Sequence, residues 1–371
     1  MSNTSISRRR FAHLLGIGAA CALARPRFSF SAVPVESAAD DIVRLSANEN
    51  PYGPSQAALQ AITNSFNLAC RYPDKHNDDL IEALAQLNEV PNEQILLGDG
   101  SSEVLQLCAL AFTGPKNGPL VVADPTFEAL PNLAAANGAQ VIKVPLTPTW
   151  AHDVTKMRAA AKGGLVYICN PNNPTASITP KDELRDFITK TPRDTMILVD
   201  EAYFHFADSP DYESVIPLVK DHPNLIVART FSKIYGMAGL RCGYAVAQKE
   251  TLARMRTEQS WDSVNIAALV AATASVKDDA QVPNGRKLIN EARAFTVQEL
   301  DSLGFKTIPS QGNFIMVDVK KPVTPLIAGM KQHKVQVGRL FPTLPNYMRV
   351  TIGKRDEMDA FLSAFRQVVA A

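Results

Sequence analysis

One lysine of the sequence stands where an amine can act as a nucleophile. Lys233 lies in the run TFSKIY (230–235), among aromatic and aliphatic side chains. Partial burial lowers the pKa of an amine, which favours its attack on a carbonyl to form an imine. A solvated lysine is the ordinary alternative, so the interpretation depends on the residues near it.

Polar clusters follow several apolar runs elsewhere in the chain. NPNNPT (170–175) and DEAY (200–203) each follow such a run, and Arg241 lies eight residues after Lys233. GDGSSE (98–103) is a glycine-rich turn that opens a helical pattern, and a helix N-terminus presents free N–H groups to a phosphate. The turn lacks the third glycine of the dinucleotide-binding motif, and an ordinary strand-turn-helix connection explains it equally well.

The pattern around these clusters predicts a scaffold that brings them together. From about residue 94, short and almost continuously apolar runs alternate with helical stretches, as is typical of strands covered by helices on both faces. We predict an α/β fold with a doubly wound, mostly parallel sheet, in which ligands bind beyond the carboxyl ends of the strands. The seven predicted strands are residues 95–97, 120–123, 140–144, 165–169, 196–199, 225–228 and 243–247.

The alternation of short apolar runs and helical stretches ends at about residue 265. Beyond it, long helical stretches accompany predicted strands at 313–317 and around 348–352. We predict a smaller α/β domain at 266–371, after a large domain at 70–265. The segment 48–54 is rich in turn formers and predicts a loop. At the helix that follows residue 178, we expect Thr179 as the cap, Pro180 at the first helical position and Asp182 in the first turn.

Composition excludes some classes of function. The 371 residues are 46% hydrophobic and 20% charged, as in a globular protein with a sizeable core, and the net charge is +1. A nucleic-acid partner is not expected, because proteins that bind nucleic acids usually have a strong or clustered excess of basic residues. The sequence has no serine three residues before a lysine and no G-x-S-x-G motif, which argues against a serine hydrolase.

The first forty residues predict export. SRRRF (7–11) precedes a modestly apolar stretch at 14–24, and the paired arginines resemble the twin-arginine signal. We expect a signal peptide and linker at 1–39, the export machinery for folded proteins as a partner, and a periplasmic or otherwise exported product. Cleavage after residue 24, 31 or 39 fits equally, and a basic N-terminal tail is the alternative.

The five cysteines are widely spaced and include no C-x-x-C pair. Such spacing predicts neither a disulfide framework nor a metal site. Cys169 and Cys242 lie in apolar stretches, and we expect them to be small buried side chains.

Seven sequence blocks occur in an order that resembles one enzyme family. They resemble the fold-type-I pyridoxal-phosphate-dependent enzymes of the class I/II aminotransferase family, with most similarity to the histidinol-phosphate aminotransferase branch. The resemblance implies pyridoxal 5'-phosphate as the cofactor, an amino acid and a 2-oxo acid as substrates, and a large domain with a seven-stranded sheet beside a smaller α/β domain. The blocks are NENPYGPS (48–55), RYPD (71–74), GDGSSEVL (98–105), NPNNPT (170–175), DEAYFHF (200–206), TFSKIYGMAGLRCGY (230–244) and MRVTIG (348–353).

The resemblance assigns residues to the cofactor. Lys233 matches the lysine that forms the imine and moves the substrate proton, and Asp200 matches the carboxylate that keeps the ring nitrogen protonated. Asn173 and Tyr203 match the pair on the phenolic oxygen of the ring, and Tyr203 is expected to take part in catalysis. The remaining expected contacts, to the phosphate or to the ring face, are Tyr52, Ser101, Ser102, Phe127, Thr230, Ser232 and Arg241.

Two of these assignments have consequences or alternatives of their own. Tyr52 resembles the tyrosine that reaches the phosphate from the neighbouring subunit, which implies a homodimer with shared sites and an N-terminal arm at 40–69. Phe127 resembles the residue stacked on the ring, and a core phenylalanine is its alternative.

For the substrate, Arg349 matches the arginine that binds the α-carboxylate through two parallel hydrogen bonds, with a surface arginine as the alternative. Arg339 aligns with an arginine that holds a distal phosphate in the histidinol-phosphate branch, and Asn313 is also expected to contact the substrate.

The sequence departs from the family pattern at Ala176, where a glycine usually follows NPNNPT, and at Ser102, where an aspartate is common. A residue with a Cβ is disfavoured at positive φ. An export signal also argues against a role in the cytosolic synthesis of histidine, so we expect an amino acid or a peptide's terminal residue as the donor. Decarboxylation, elimination and oxygen-dependent oxidation on the same cofactor stay as alternatives. A non-catalytic binding protein is disfavoured because Lys233 and Asp200 are both present.

Overall fold

A seven-stranded sheet organises residues 42–370, which are the residues that this computed structural model describes. Its order is β2-β8-β7-β6-β5-β3-β4, and β8 runs antiparallel to both of its neighbours while the other pairs are parallel. The prediction of a mostly parallel, seven-stranded sheet is confirmed. The strands are β2 Ile95–Gly98, β3 Leu120–Asp124, β4 Val141–Pro145, β5 Leu165–Cys169, β6 Met196–Asp200, β7 Leu225–Thr230 and β8 Gly243–Ala247.

The central strands are apolar throughout because both faces of the sheet are covered. All five residues of β5 are buried; Val166 and Ile168 pack into one hydrophobic cluster, while Leu165, Tyr167 and Cys169 pack into another. Side chains alternate across a strand, so the two clusters lie on opposite faces of the sheet. The sheet is therefore the middle layer between two layers of helix.

Helices accompany the sheet, and one of the two predicted helix starts is confirmed. The helix that opens at Gly100 follows the glycine-rich turn, and the two longest runs after residue 265 are helical. The α-helices are α1 Gln56–Asn64, α2 Asp74–Asn88, α3 Gly100–Phe112, α4 Ala129–Ala136, α5 Val154–Ala160, α6 Lys181–Lys190, α7 Lys249–Arg256, α8 Ile266–Val276, α9 Gln281–Ser302, α10 Val323–Gln332 and α11 Arg355–Ala370; single 3₁₀ turns lie at Phe66–Leu68, Asn92–Gln94, Phe204–Phe206 and Ile216–Leu218.

The predicted start of α6 was wrong by one residue. Pro180 is the residue before the helix and has a non-helical ψ of 140°, so the first helical position is Lys181. Thr179 does not cap the helix; its Oγ1 lies 2.8 Å from Nδ1 of the buried His152. A tertiary hydrogen bond to a distant residue has replaced the local one.

Two small sheets complete the part of the chain that the structure describes. β1 (Val43–Leu45) pairs in parallel with β10 (Val335–Val337), and β9 (Phe314–Asp318) pairs antiparallel with β11 (Tyr347–Thr351). From Ile42 onward the chain forms one compact unit. The predicted division into a large and a small domain stays a prediction, and the expected signal peptide lies outside the described residues.

Cys169 and Cys242 are buried and free, as expected; Cys108 is also buried and free, while Cys70 is free and exposed. Between residues 42 and 370, no helix combines the length and the apolar character that a membrane crossing requires.

Candidate active site

A cavity of about 250 Å³ opens at the carboxyl ends of β5, β6 and β7. Cys169, Asp200 and Thr230, the last residues of these strands, form part of its wall. This is the edge of a parallel sheet where ligands bind. Most of the predicted site residues line the cavity: Ser101, Ser102, Phe127, Asn173, Asp200, Tyr203, Thr230, Ser232, Lys233, Arg241 and Arg349.

Lys233 projects its amine into this cavity from the loop after β7. Its Nζ donates to the carbonyl of Asn48 at 3.0 Å and approaches that of Ala47 at 3.4 Å. Burial, and next the positive charge of Arg349, lower the pKa of Lys233 to about 8. An appreciable fraction of the amine is therefore neutral and nucleophilic near neutral pH.

Asp200 lies at the base of the cavity and is almost fully buried. One carboxylate oxygen accepts from the Tyr167 hydroxyl at 2.9 Å, and the other accepts from the backbone N–H of Ala202 at 3.1 Å. Burial raises the pKa of Asp200 to about 6, although both hydrogen bonds oppose this effect. The charge of Lys233 also lowers the pKa of Asp200, but no cation of the described residues forms an ion pair with it. A buried carboxylate without an ion pair gains from a positively charged ligand atom.

The N-terminal turn of α3 forms another part of the cavity wall together with Arg241. Gly100, with φ 71°, opens the helix, and a Cβ there would lie 2.1 Å from Arg241 Nη2. The guanidinium donates to Ala238 O at 2.9 Å and lies within 3.5 Å of the hydroxyls of Ser232 and Ser102. Since Arg241 forms no ion pair with any described residue, its charge is available to an anion bound at the helix terminus.

Tyr203 lies beside Lys233 with its hydroxyl in a defined orientation. Its Oη accepts from Asn48 Nδ2 at 3.1 Å and from Asn173 Nδ2 at 3.4 Å. The hydroxyl proton of Tyr203 is therefore left to donate to an acceptor in the cavity.

Arg349 enters from β11 and closes the side of the cavity that faces Lys233. Its two terminal nitrogens donate to Asn173 Oδ1 at 2.8 Å and to Ser46 O at 2.6 Å, while its Nε is buried with no hydrogen-bond partner. No carboxylate of the described residues pairs with it. A planar cation held this way suits a carboxylate or phosphate ligand.

Three predicted residues lie outside the wall of this cavity. Asn313 is fully buried and donates to the carbonyls of Asn48 and Glu49, so it supports the loop against which Lys233 rests. Tyr52 is 40% exposed and lies near Lys354, whose Nζ is 5.9 Å from its ring centroid. Arg339 is exposed and pairs with Glu128. Their contacts with substrate or with a second subunit stay predictions.

Phe127, in contrast, lines the cavity and is 36% exposed, so it is not a core phenylalanine.

Two polar residues that shape the site, Tyr167 and Asn48, were not predicted from the sequence. Tyr167 is fully buried in β5 and donates to Asp200, and a tyrosine inside an apolar strand signals such a partner because its hydroxyl must be hydrogen-bonded. Asn48 lines the cavity and has a φ of 55°, a conformation that asparagine tolerates better than most residues. Asn48 belongs to the NENPYGPS block, but the sequence assigned it no role in the site.

Comparison with known proteins decides the family. The family model of aminotransferase class I and II matches residues 40–365. The chain belongs to this family.

Histidinol-phosphate aminotransferases from several bacteria are similar to this aminotransferase. It is 37% identical over 335 residues to the histidinol-phosphate aminotransferase of Moorella thermoacetica, covering 89% of this chain and 86% of that one. It is 31% identical over 349 residues to that of Bacillus subtilis, covering 93% and 96%. The solved structure of histidinol-phosphate aminotransferase from Sinorhizobium meliloti, in complex with pyridoxal-5'-phosphate, superposes with a TM-score of 0.82 at 27% identity and covers 89% of this chain and 91% of that one.

The aminotransferase is a pyridoxal-phosphate-dependent enzyme, and the groups that line its cavity fit that cofactor. Three groups match the cofactor: an amine of lowered pKa matches the aldehyde, a buried carboxylate with no ion pair to the described residues matches the basic ring nitrogen, and an arginine with no carboxylate partner among them, at a helix N-terminus, matches the phosphate.

Proposed function

We propose that this aminotransferase moves an amino group from an α-amino acid, or from the terminal residue of a peptide, to a 2-oxo acid. One observation carries the proposal: the Lys233 amine and the Arg349 guanidinium face the same cavity, and neither is paired with a carboxylate of the described residues. A substrate that carries an amine and a carboxylate on one carbon would present its amine to the cofactor held at Lys233 and its carboxylate to Arg349.

Each residue has one role in this proposal. Bound pyridoxal phosphate supplies an aldehyde and an electron-withdrawing ring. Asp200 holds a proton on the ring nitrogen, because a buried carboxylate is stabilised by a cation beside it. Arg241, Ser102 and the N-terminus of α3 hold the phosphate, with Ser101, Thr230 and Ser232 around it, and Tyr203 with Asn173 donates to the ring oxygen.

Lys233 is proposed to move the proton at the substrate carbon. A pKa of about 8 allows the amine to accept a proton and to release it again near neutral pH. Arg349 orients the substrate by its anionic group, so that the carbon to be deprotonated faces Lys233.

Histidinol phosphate is a second candidate donor. Relatives up to 37% identical carry that activity in their names, and an arginine fork accommodates a phosphate as well as a carboxylate.

We further propose a homodimer in which Tyr52 reaches the neighbouring site, and export by the twin-arginine route. A homodimer is typical of this family, and residues 7–11 support export.

The proposal is tested by mixing the purified enzyme with single amino donors and following the cofactor absorbance. We expect a shift with at least one α-amino acid, and Arg349→Gln should raise KM for that donor more than it lowers kcat. Borohydride reduction followed by peptide mass spectrometry should locate the cofactor on Lys233. An unchanged spectrum with every α-amino acid and a shift with histidinol phosphate alone would favour the second candidate.

A further inference from the structure

Glu128 and Arg339 form an ion pair at the rim of the cavity. Arg339 Nη2 donates to Glu128 Oε2, although the two residues are 211 positions apart. Glu128 directly follows Phe127, which lines the cavity, and both charged side chains are about half exposed. The pair therefore connects the loop after β3 with the segment between β10 and β11.

Phe341 places this pair next to Arg349. The guanidinium carbon of Arg339 lies 4.5 Å from the centroid of the Phe341 ring, and that of Arg349 lies 5.2 Å from the same centroid. Burial, with the nearby charge of Arg339 as a further cause, lowers the pKa of Arg349. The two arginines are neighbours, but only Arg339 has a carboxylate partner among the described residues.

We propose that Glu128 is a specificity-determining residue, which competes with the substrate for Arg339. The inference rests on the proposed function, in which Arg349 binds the first anionic group of the substrate. A second anionic group, such as the side-chain carboxylate of a dicarboxylic amino acid or a distal phosphate, has to displace Glu128 before it reaches Arg339. An uncharged side chain meets no such competition, so Glu128 shifts the preference toward substrates with a single anionic group.

The expected effect is modest because the pair is open to solvent. Exposed ion pairs are screened and contribute little, so removing the competitor should change the preference by roughly two- to fivefold. Glu128→Gln is the suitable variant, since it keeps the size of the side chain and removes the charge.

Glutamate and glutamine are matched donors, because they differ only in the charge of the side-chain end. We expect Glu128→Gln to raise the ratio of kcat/KM for glutamate over glutamine by that factor. Glu299→Gln, which removes the carboxylate of a similarly exposed pair with Arg366 outside the cavity wall, is the control and should leave the ratio unchanged. In an Arg339→Gln background, the Glu128 substitution should have no further effect on the ratio.

A second measurement needs no turnover. Butanoate and butanedioate are unreactive acids of equal length with one and two charges, and their Kd values follow from the cofactor absorbance. Glu128→Gln should lower the Kd of butanedioate relative to that of butanoate. An unchanged ratio of the two Kd values overturns the inference. Failure of the enzyme to use any α-amino acid counts against the proposed function, whereas the Kd ratio still decides the role of Glu128.

Discussion

The hydroxyl of Tyr167 donates to Asp200 Oδ2 over 2.9 Å, and both side chains are buried. A neutral hydroxyl and one backbone N–H stabilise this carboxylate, but neither supplies the positive charge that a buried anion requires. Asp200 is therefore held in position, and although the charge of Lys233 favours its anionic form, no cation of the described residues forms an ion pair with it. That combination suits a residue whose partner arrives with the cofactor.

Without cofactor, we expect Asp200 to make the stability of the protein depend on pH. Burial raises its pKa from the unfolded value of about 3.9 to about 6. The folded state then binds the proton more tightly, so its contribution to stability is present below about pH 4 and is lost as the pH rises through about 6. Asp200→Asn should remove this dependence. Between pH 4 and pH 7, the free energy of unfolding of the variant should rise relative to that of wild type by up to about 3 kcal/mol.

Urea unfolding of the cofactor-free proteins at several pH values measures this difference. Asp279→Asn, at an exposed position, controls for the general loss of one negative charge. A gap between Asp200→Asn and wild type that is the same at pH 4 and pH 7 would contradict the prediction.

Tyr167→Phe should raise the pKa of Asp200 further, because the carboxylate loses a hydrogen-bond donor that stabilises its charged form. A hydrogen bond to a charged group contributes about 1.5–3 kcal/mol, which corresponds to roughly one to two pH units. The same unfolding measurements should show the pH-dependent region extending to higher pH. Tyr212→Phe provides a control, since the hydroxyl of this partly buried tyrosine donates to the carbonyl of Asn170 and not to Asp200. If both tyrosine variants behave alike, Tyr167 has only a packing role.

The rate at which cofactor-free enzyme binds pyridoxal phosphate covalently should rise with pH and reach half its maximum near pH 8. The neutral amine is the reactive form, and burial together with Arg349 lowers the pKa of Lys233 to about 8. Arg349→Gln should move the midpoint upward, because one of the nearby positive charges is gone. Arg366→Gln, which removes an arginine that is paired with Glu299, should leave the midpoint in place. Absorbance after rapid mixing gives the rates.

Ala176→Gly should change the stability by less than about 1 kcal/mol, although it removes a fully buried methyl group. The loss of the methyl costs about 0.8 kcal/mol, and glycine adds a further entropic cost. Ala176 has a φ of 57°, however, and relief of the strain in this left-handed conformation offsets both losses. Ala268→Gly, at a buried position within α8, should lose about 2 kcal/mol because no such strain is relieved there. Equal losses in thermal or urea unfolding would show that Ala176 is unstrained.

The fold and most of the cavity wall could be predicted because their signals are local. Apolar runs define the strands, and the parallel arrangement then brings the polar residues at their ends, such as Asp200 and Thr230, to one edge of the sheet. The direction of β8 was not predictable, since an apolar run carries no information on the orientation of a strand. The pairing of Arg339 with Glu128 and that of Thr179 with His152 depend on tertiary packing. The residues adjacent in sequence do not predict such contacts.

The cavity wall beside Lys233 is built from residues early in the described chain and from residues late in it. Asn48, whose carbonyl accepts a hydrogen bond from the lysine amine, donates its own N–H to the hydroxyl of Thr351, 303 positions later, and the neighbouring β1 pairs with the late strand β10. A ribosome releases the early partners long before the late ones. The lysine therefore gains its complete surroundings only after residue 351 has been synthesised, and a growing chain that still lacks β10 and β11 has no finished pocket in which to retain the cofactor.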